Sequence, residues 1–176
     1  GSTALIVDDD QYTYEEFLSL VCRAANGLKI LKIETGSRIL LFGTDSVEYL
    51  ALWFGAIRAG IVPVVVSDAY KAPNLLYFLR DTAAKSLFID VEQSEKLAEI
   101  ADDMPWTLEN VIVRGDDIGE APETGDRHTL TYAEMVEGQF QTFAPLPLHH
   151  NDVAYMFYSG GTTGAAKGIT HLAHDF

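Results

Sequence analysis

Residues 38–66 of this chain read RILLFGTDSVEYLALWFGAIRAGIVPVVV. Arg38–Phe42 is a short, continuous apolar run bounded by turn residues, which is typical of a strand buried on both faces. Ile61–Val66 is a second run of this kind, in which Pro63 weakens the centre. A helix is expected between the two strands, and a strand–helix–strand unit of this length predicts parallel pairing.

The helix within this stretch has both a start and a stop signal. Asp45 with Glu48 resembles a capping pair, and the helix is expected to reach about Arg58 before Gly60 ends it. The same segment contains the longest apolar region of the chain, Val47–Val66. Its two charged residues and its proline indicate a helix followed by a buried strand, and not a membrane span.

Alternation of strands and helices continues on both sides of this unit. Upstream, residues 4–12 predict a short hairpin, and Thr13 with Glu16 forms a capping box that opens a helix ending near Leu31. Downstream, the pattern predicts helices over 73–84 and 94–101, a short helix capped by Thr131 and Glu134, and strands over 87–90, 111–113 and 153–158. The expected fold is therefore a single α/β domain over residues 1–176, with a mainly parallel sheet and helices on both faces.

Composition limits the classes of partner. A length of 176 residues with 48% hydrophobic content suits one domain with a substantial core. A net charge of −14 disfavours nucleic acid and anionic membranes as partners. Cys22 is the only cysteine and is expected to be a buried, inert thiol. With no visible signal peptide, the chain is expected to be cytoplasmic; Gly1-Ser2 is typical of a cloning scar.

Four further features carry weaker indications. Residues 114–127 are rich in Gly, Asp, Glu and Pro and predict an exposed excursion. His149 and His150 are adjacent on an extended segment, so their rings point in opposite directions and a metal site is not expected. His171 and His174 have a spacing that one helical face could present together. Trp53 and Phe54 are expected to pack on the sheet.

The strongest functional signal lies near the end of the chain, where residues 158–168 read YSGGTTGAAKG. Small residues allow the backbone to bend and its N–H groups to approach a ligand closely. The hydroxyl groups add donors, and Lys167 adds a mobile positive charge. A strand that leads into donors and a cation predicts a phosphate-binding loop. The candidate binding residues are Ser159, Gly160, Gly161, Thr162, Thr163, Gly164 and Lys167.

Spacing excludes two familiar phosphate motifs. A Walker A loop has Gly before its Lys and Ser or Thr after it, whereas Ala166 precedes Lys167 and Gly168 follows. The G-x-G-x-x-G fingerprint also fails, because the intervals between the glycines are different. The alternative interpretation is a plain flexible surface loop, which the preceding strand and the lysine disfavour.

This loop resembles the signature Y-[ST]-S-G-T-T-G-x-P-K-G of the adenylate-forming superfamily, the AMP-forming acyl- and aryl-CoA ligases. Gly160 replaces the usual Ser, and Ala166 replaces the usual Pro, which removes a φ restraint. Weaker matches follow in the family's order at Tyr12–Phe17, Phe54–Val64 and Asn151–Tyr155. The loop and the following Gly-Ile-Thr-His are most similar to the benzoate-CoA ligase type.

The resemblance implies the N-terminal portion of a ligase that uses Mg²⁺-ATP to convert a carboxylic acid to an acyl adenylate and then transfers it to CoA; the benzoate type implies an aromatic acid. It implies that the loop holds the β- and γ-phosphates, with Lys167 as the catalytic cation. The family's acid pocket, adenine contacts and metal ligand lie further on, so residues 1–176 alone are expected to be inactive.

Two other expectations concern an alternative function and self-association. The alternative function is a non-catalytic nucleotide- or phosphate-binding module that retains the loop. The aromatic strand Val153–Tyr158 is also expected to expose an edge or a face, which would favour self-association.

Overall fold

The computed structural model describes residues 1–7, 9–115, 124–159 and 166–175. Over these residues the chain forms a small two-stranded sheet and a seven-stranded sheet. The strands are β1 Thr3–Val7, β2 Asp10–Thr13, β3 Arg38–Phe42, β4 Val62–Val65, β5 Ser86–Asp90, β6 Asn110–Arg114, β7 His128–Thr131, β8 Val153–Ser159 and β9 Lys167–Leu172. The predicted hairpin is confirmed as the antiparallel pair β1–β2.

The large sheet has the order β7-β6-β5-β3-β4-β8-β9. All of its neighbouring pairs are parallel except β8–β9, which is antiparallel. The chain therefore adds β4 on one side of β3 and β5 on the other. The strand order thus reverses at β3. In open α/β sheets, such a switch point forms a ligand-binding crevice at the carboxyl ends of the strands.

Five α-helices surround the sheet in the described residues. They are α1 Tyr14–Ile30, α2 Val47–Arg58, α3 Ala72–Thr82, α4 Ser94–Ala98 and α5 Tyr132–Val136. The predicted capping boxes at Thr13 and Thr131 are confirmed. The predicted cap of α2 was wrong by one residue: Ser46, and not Asp45, is the N-cap, and its hydroxyl accepts from the Tyr49 N–H.

Each face of the sheet is covered by helices, which confirms the predicted layers. Strand β3 shows the division most clearly, because its side chains alternate between two cores. Leu40 and Phe42 join the core under α3 and α4, and Ile39 and Leu41 join the core under α1, α2 and α5. Cys22 lies in α1 and is buried, as predicted. No described helix is long and apolar enough to cross a membrane.

Pro63 lies within β4, between two neighbouring strands, where a missing N–H would normally break a ladder. The N–H groups of Val62 and Val66 both donate toward the β3 side, to Ser37 and Leu41. Successive residues of a strand alternate in direction, so the Pro63 nitrogen faces β8. Pairing of β4 with β8 begins only at Val64, and the proline therefore costs no hydrogen bond to that strand.

Three predictions near the edges of the sheet need correction. β7 and β9 were not predicted as strands. Arg114 is the last residue of β6 and β7 begins at His128, so the predicted exposed segment 114–127 overlaps a described strand only at its first residue, and Thr124 within it is buried. Residues 116–123 lie outside the described residues. Strand β8 is paired on both sides, by β4 and β9, so it is not an edge strand; the edge strands of the described sheet are β7 and β9.

A buried ion pair joins the carboxyl ends of β3, β5 and β6. Asp90 is only 2% exposed, and its carboxylate accepts from Arg114 Nε and Nη2, each at 2.7 Å. The N–H and hydroxyl of Thr44 donate to the same carboxylate at 2.8 and 2.9 Å. Hydrogen bonding to Asp90 raises the pKa of the Arg114 guanidinium. The charge is thus fully compensated, and the pair holds three strand ends together.

Candidate functional site

The β8–β9 hairpin places the phosphate-loop sequence at the carboxyl edge of the sheet. β8 runs parallel to β4, so its last residue reaches the same edge as the ends of β3 and β5. β9 returns antiparallel, with Ser159 opposite Lys167 and Tyr158 opposite Gly168. Ligands of open α/β sheets bind at this edge, and the location therefore suits the predicted loop.

The candidate residues divide between described and undescribed parts of the chain. Ser159 is the last residue of β8, and Lys167 is the first residue of β9, where it is exposed to solvent. Five of the predicted binding residues lie outside the described residues: Gly160, Gly161, Thr162, Thr163 and Gly164. The structure therefore fixes the two ends of the loop and the position of its lysine.

The residue before the loop is anchored to α3. The hydroxyl of Tyr158 donates to the carboxylate of Asp81, and its ring lies 4.6 Å from the ring of buried Phe78. Partial burial, followed by the bond to Asp81, raises the pKa of the Tyr158 hydroxyl. Tyr158 therefore stays protonated and remains a donor at neutral pH.

The residue before Lys167 is anchored to the same helix. The hydroxyl of Tyr77 donates to the carbonyl oxygen of Ala166 at 3.2 Å. Sequence reasoning did not single out Tyr77 or Asp81. Their one signal in the sequence is a spacing of four residues on a helix, which puts both side chains on one face.

The histidines near the hairpin form stacked pairs, and not one helical face. His171 lies in β9 and its ring stacks on Tyr155 at 4.5 Å, whereas His174 lies in a 3₁₀ turn and stacks on His150 at 4.3 Å. Asp175 lies 3.4 Å from His174 Nε2 and 3.9 Å from His171 Nδ1. The helical presentation expected from their spacing was wrong, because β9 continues to Leu172.

Aromatic packing fixes the start of β8 against α2. The ring of Trp53 meets those of Tyr155 and Phe157 edge-on at 5.8 and 5.9 Å, as expected for a residue packed on the sheet. Phe54 instead lies toward α1, edge-on to Phe17, and is 37% exposed. Within the ranges that the structure describes, no group of three His, Cys, Asp or Glu side chains could hold a metal ion.

Comparison with known proteins identifies the family. Residues 1–175 match the family described as "AMP-binding enzyme". The chain belongs to the AMP-binding enzyme family. The resemblance expected from the loop sequence is confirmed, and the match extends to nearly every residue of this family member.

Several relatives are aryl-CoA ligases. The chain is 34% identical over 172 residues to a 4-hydroxybenzoate–CoA/benzoate–CoA ligase of Rhodopseudomonas palustris, a match that covers 98% of this chain and 30% of the relative. It is 29% identical to a benzoate–CoA ligase of Thauera aromatica, with 99% and 31% covered. The chain thus spans about a third of the length of these relatives.

A solved structure confirms the fold class. The anthranilate CoA ligase AuaEII, crystallised with anthranoyl-AMP, superposes with a TM-score of 0.87 at 29% identity, covering 97% of this chain and 32% of that protein. The N-terminal domain of FACL13 from Mycobacterium tuberculosis superposes at 0.78 with 26% identity, covering 93% and 38%. The described sheet is therefore that of the N-terminal domain of adenylate-forming enzymes.

Proposed function

We propose that this chain is the N-terminal portion of an acid–CoA ligase acting on an aromatic carboxylic acid. The observation that carries the proposal is the 34% identity to a benzoate-type ligase over 98% of the chain. The position of the hairpin supports it, since its loop leaves the sheet at the edge where nucleotides bind in such folds.

The reaction has two balanced steps. A carboxylate oxygen of the acid attacks the α-phosphorus of ATP, the bond to the bridging oxygen breaks, and pyrophosphate leaves from the acyl adenylate. The thiol of CoA then attacks the acyl carbon, its proton is lost, and AMP leaves. Both steps need positioning and charge stabilisation more than covalent assistance from the protein.

In this proposal the loop stabilises the leaving pyrophosphate. Lys167 supplies a positive charge to the β- and γ-phosphates, and the hydroxyls of Ser159, Thr162 and Thr163 donate to them. The three glycines Gly160, Gly161 and Gly164 allow the backbone to approach the phosphates. Mg²⁺ is proposed to bind together with the nucleotide, because this ion is usually held by substrate phosphates and one or two carboxylates.

The net charge of the chain opposes the binding of ATP. At −14 the chain as a whole repels ATP, so binding depends on short-range contacts and on the counterion that the nucleotide brings. A cytoplasmic location belongs to the same proposal, as does self-association through the exposed edge strand β9.

Replacement of Lys167 tests the proposed role. In the enzyme that contains this chain, Lys167→Ala should slow adenylate formation by about 30- to 1000-fold, since one charge-assisted contact to a developing anion contributes about 2–4 kcal/mol. Thioester formation from preformed acyl adenylate should be nearly unchanged, because pyrophosphate has already left. Single-turnover assays of each half-reaction measure both rates.

Two variants serve as controls for this experiment. Lys167→Arg retains the charge and should recover part of the adenylation rate. Lys71→Ala removes another exposed lysine, at the N-cap of α3, and should leave both steps unchanged. Equal slowing of both half-reactions by Lys167→Ala would contradict the assignment, and absence of ATP–pyrophosphate exchange with any aromatic acid would contradict the ligase itself.

A further inference from the structure

One face of α3 contacts both ends of the loop. Tyr77 and Asp81 are four residues apart, and so they lie one above the other on that face. The Asp81 carboxylate accepts from the Tyr158 hydroxyl, just before the loop. The Tyr77 hydroxyl donates to the Ala166 carbonyl, just after it. A single helix thus bonds to the residue on each side of the segment that carries the candidate donors.

This helix provides a rigid support. Leu75, Phe78 and Leu79 anchor α3 in the core and are fully buried. The ring of Tyr158 and the side chain of Ala166 pack at the margin of that same core. Gly168 lies opposite Tyr158, where a Cβ atom would come within 3.3 Å of the tyrosine ring, so glycine lets β9 pass close to it.

The two hydrogen bonds are separate from the packing that holds α3. Tyr77 is 37% exposed and Asp81 is exposed, on the side of the helix away from its buried residues. Loss of either polar contact removes no core volume, so the fold should persist. What the contacts restrain is the distance between Tyr158 and Ala166, and with it the placement of Lys167.

We propose that Tyr77 and Asp81 are positioning residues, which fix the two ends of the loop and hold Lys167 at the carboxyl edge of the sheet. The phosphate-binding consequence rests on the proposed function; the restraint itself does not. The hydrogen bond from Tyr77 matters because residue 166 is alanine and not proline. Alanine has no ring to fix φ, and the hydrogen bond from Tyr77 supplies a non-covalent restraint at the position where a proline would supply a covalent one.

The restraint is tested first by amide hydrogen exchange in the 176-residue chain. Tyr77→Phe and Asp81→Ala should each accelerate exchange of whichever amide of Lys167 or Gly168 donates to β8 by about 3- to 10-fold, the factor that one ordinary hydrogen bond provides. Exchange in the buried turns of α1 should not change. Tyr14→Phe, at an exposed tyrosine of α1, and Asp102→Ala, at an exposed aspartate, are the matched controls.

Rescue separates positioning from general destabilisation. In the Tyr77→Phe background, Ala166→Pro should return exchange of that amide to within about 2-fold of the original rate, because the ring restores a restraint at the same residue. Tyr158→Phe tests the other end independently and should reproduce the effect of Asp81→Ala. Unchanged exchange in Tyr77→Phe, Asp81→Ala and Tyr158→Phe alike would overturn the proposal, as would acceleration spread evenly over the whole chain.

The functional consequence has its own measurement. In the enzyme that contains this chain, Tyr77→Phe should raise KM for ATP by about 3- to 10-fold, with KM for CoA unchanged, and Ala166→Pro should reverse the rise. Faster exchange with an unchanged KM for ATP would leave the restraint established and would instead contradict phosphate binding by the loop. The two proposals therefore fail in different experiments.

Discussion

Asp90 carries one of the few buried charges in the described residues, and its surroundings show why a charge can stay there. Arg114 neutralises it with two hydrogen bonds, and Thr44 supplies two more. Gly43 also lies close to this carboxylate, since a Cβ atom at residue 43 would be 2.8 Å from Asp90 Oδ1. A glycine is thus needed where the β3 loop passes over the carboxylate.

Asp90→Ala should therefore destabilise the domain by about 3 kcal/mol, because it leaves Arg114 and Thr44 without their shared acceptor. Asp90→Asn should cost less, since its amide oxygen can still accept from Thr44. Urea unfolding monitored by circular dichroism measures both changes. Asp103→Ala is the matched control: its partner is Arg80 at 3.6 Å, both side chains are exposed, and its effect should stay below about 1 kcal/mol.

The sequence alone predicts the contacts of some residues and not those of others. The capping boxes at Thr13 and Thr131 were predictable because all of their atoms lie within one helical turn. Tyr77 contacts a residue 89 positions away, and no local pattern reports such a contact. The sequence therefore predicts a phosphate-binding loop from its composition, but gives no sign that two residues of α3 bond to the residues on either side of it.

The same contrast holds for whole elements. Strands β3, β4 and β5 were predictable because burial on both faces makes them nearly continuous apolar runs. β7 reads HTLT and β9 reads KGITHL, with alternating or polar character; His128 of β7 and residues 167–170 of β9 are exposed. Edge strands need only one paired side and little burial, so their sequences resemble loops.

Edge strand β9 leads to a prediction about association. Its residues 167–170 are exposed, and Ile169 is 48% exposed on the last strand in the order of the described sheet. Burial of roughly 600 Å² of apolar surface would contribute on the order of 15 kcal/mol, which is enough to offset an association cost of about 4–15 kcal/mol. The chain should therefore form oligomers that increase with protein concentration and with salt, which screens the charge of −14.

Light scattering coupled to size exclusion measures this association, and a pair of substitutions locates it. Ile169→Lys places a charge on the edge and should reduce the oligomer, although it lowers the net repulsion. Ile30→Lys makes the same change in charge at a residue of α1 that is 62% exposed, and should not. A chain that stays monomeric at high protein and high salt would contradict the prediction.

At the scale of the whole molecule, the two cores on either side of the sheet have different chemistry. The core under α3 and α4 is aliphatic apart from two phenylalanines. The opposite core contains two tyrosines, Tyr49 and Tyr132, whose rings meet Phe88 edge-on at 5.9 and 6.1 Å. The tyrosine hydroxyls thus sit close to an apolar layer, where a phenolate would be poorly solvated.

Burial raises the pKa of both Tyr49 and Tyr132 above the ordinary value for tyrosine, with desolvation as the largest cause. A raised pKa means that the native state holds the proton more tightly than the unfolded chain does. Their contribution to stability is therefore complete below about pH 10, where unfolded tyrosine begins to ionise, and is lost as pH rises toward the native values.

We expect the free energy of unfolding to fall above pH 10 by up to about 1.4 kcal/mol per pH unit for each of the two tyrosines. Urea titrations between pH 8 and 11.5, with tyrosinate absorbance recorded in parallel, measure the slope. Tyr132→Phe and Tyr49→Phe should each make it shallower, whereas Tyr14→Phe, at a tyrosine that is 68% exposed, should not. The acidic surface also repels itself more at high pH, but all three variants share that background, so only the two core tyrosines should change the slope. An identical slope in all three variants would show that the phenolic protons of Tyr49 and Tyr132 are not what links this fold to alkaline pH.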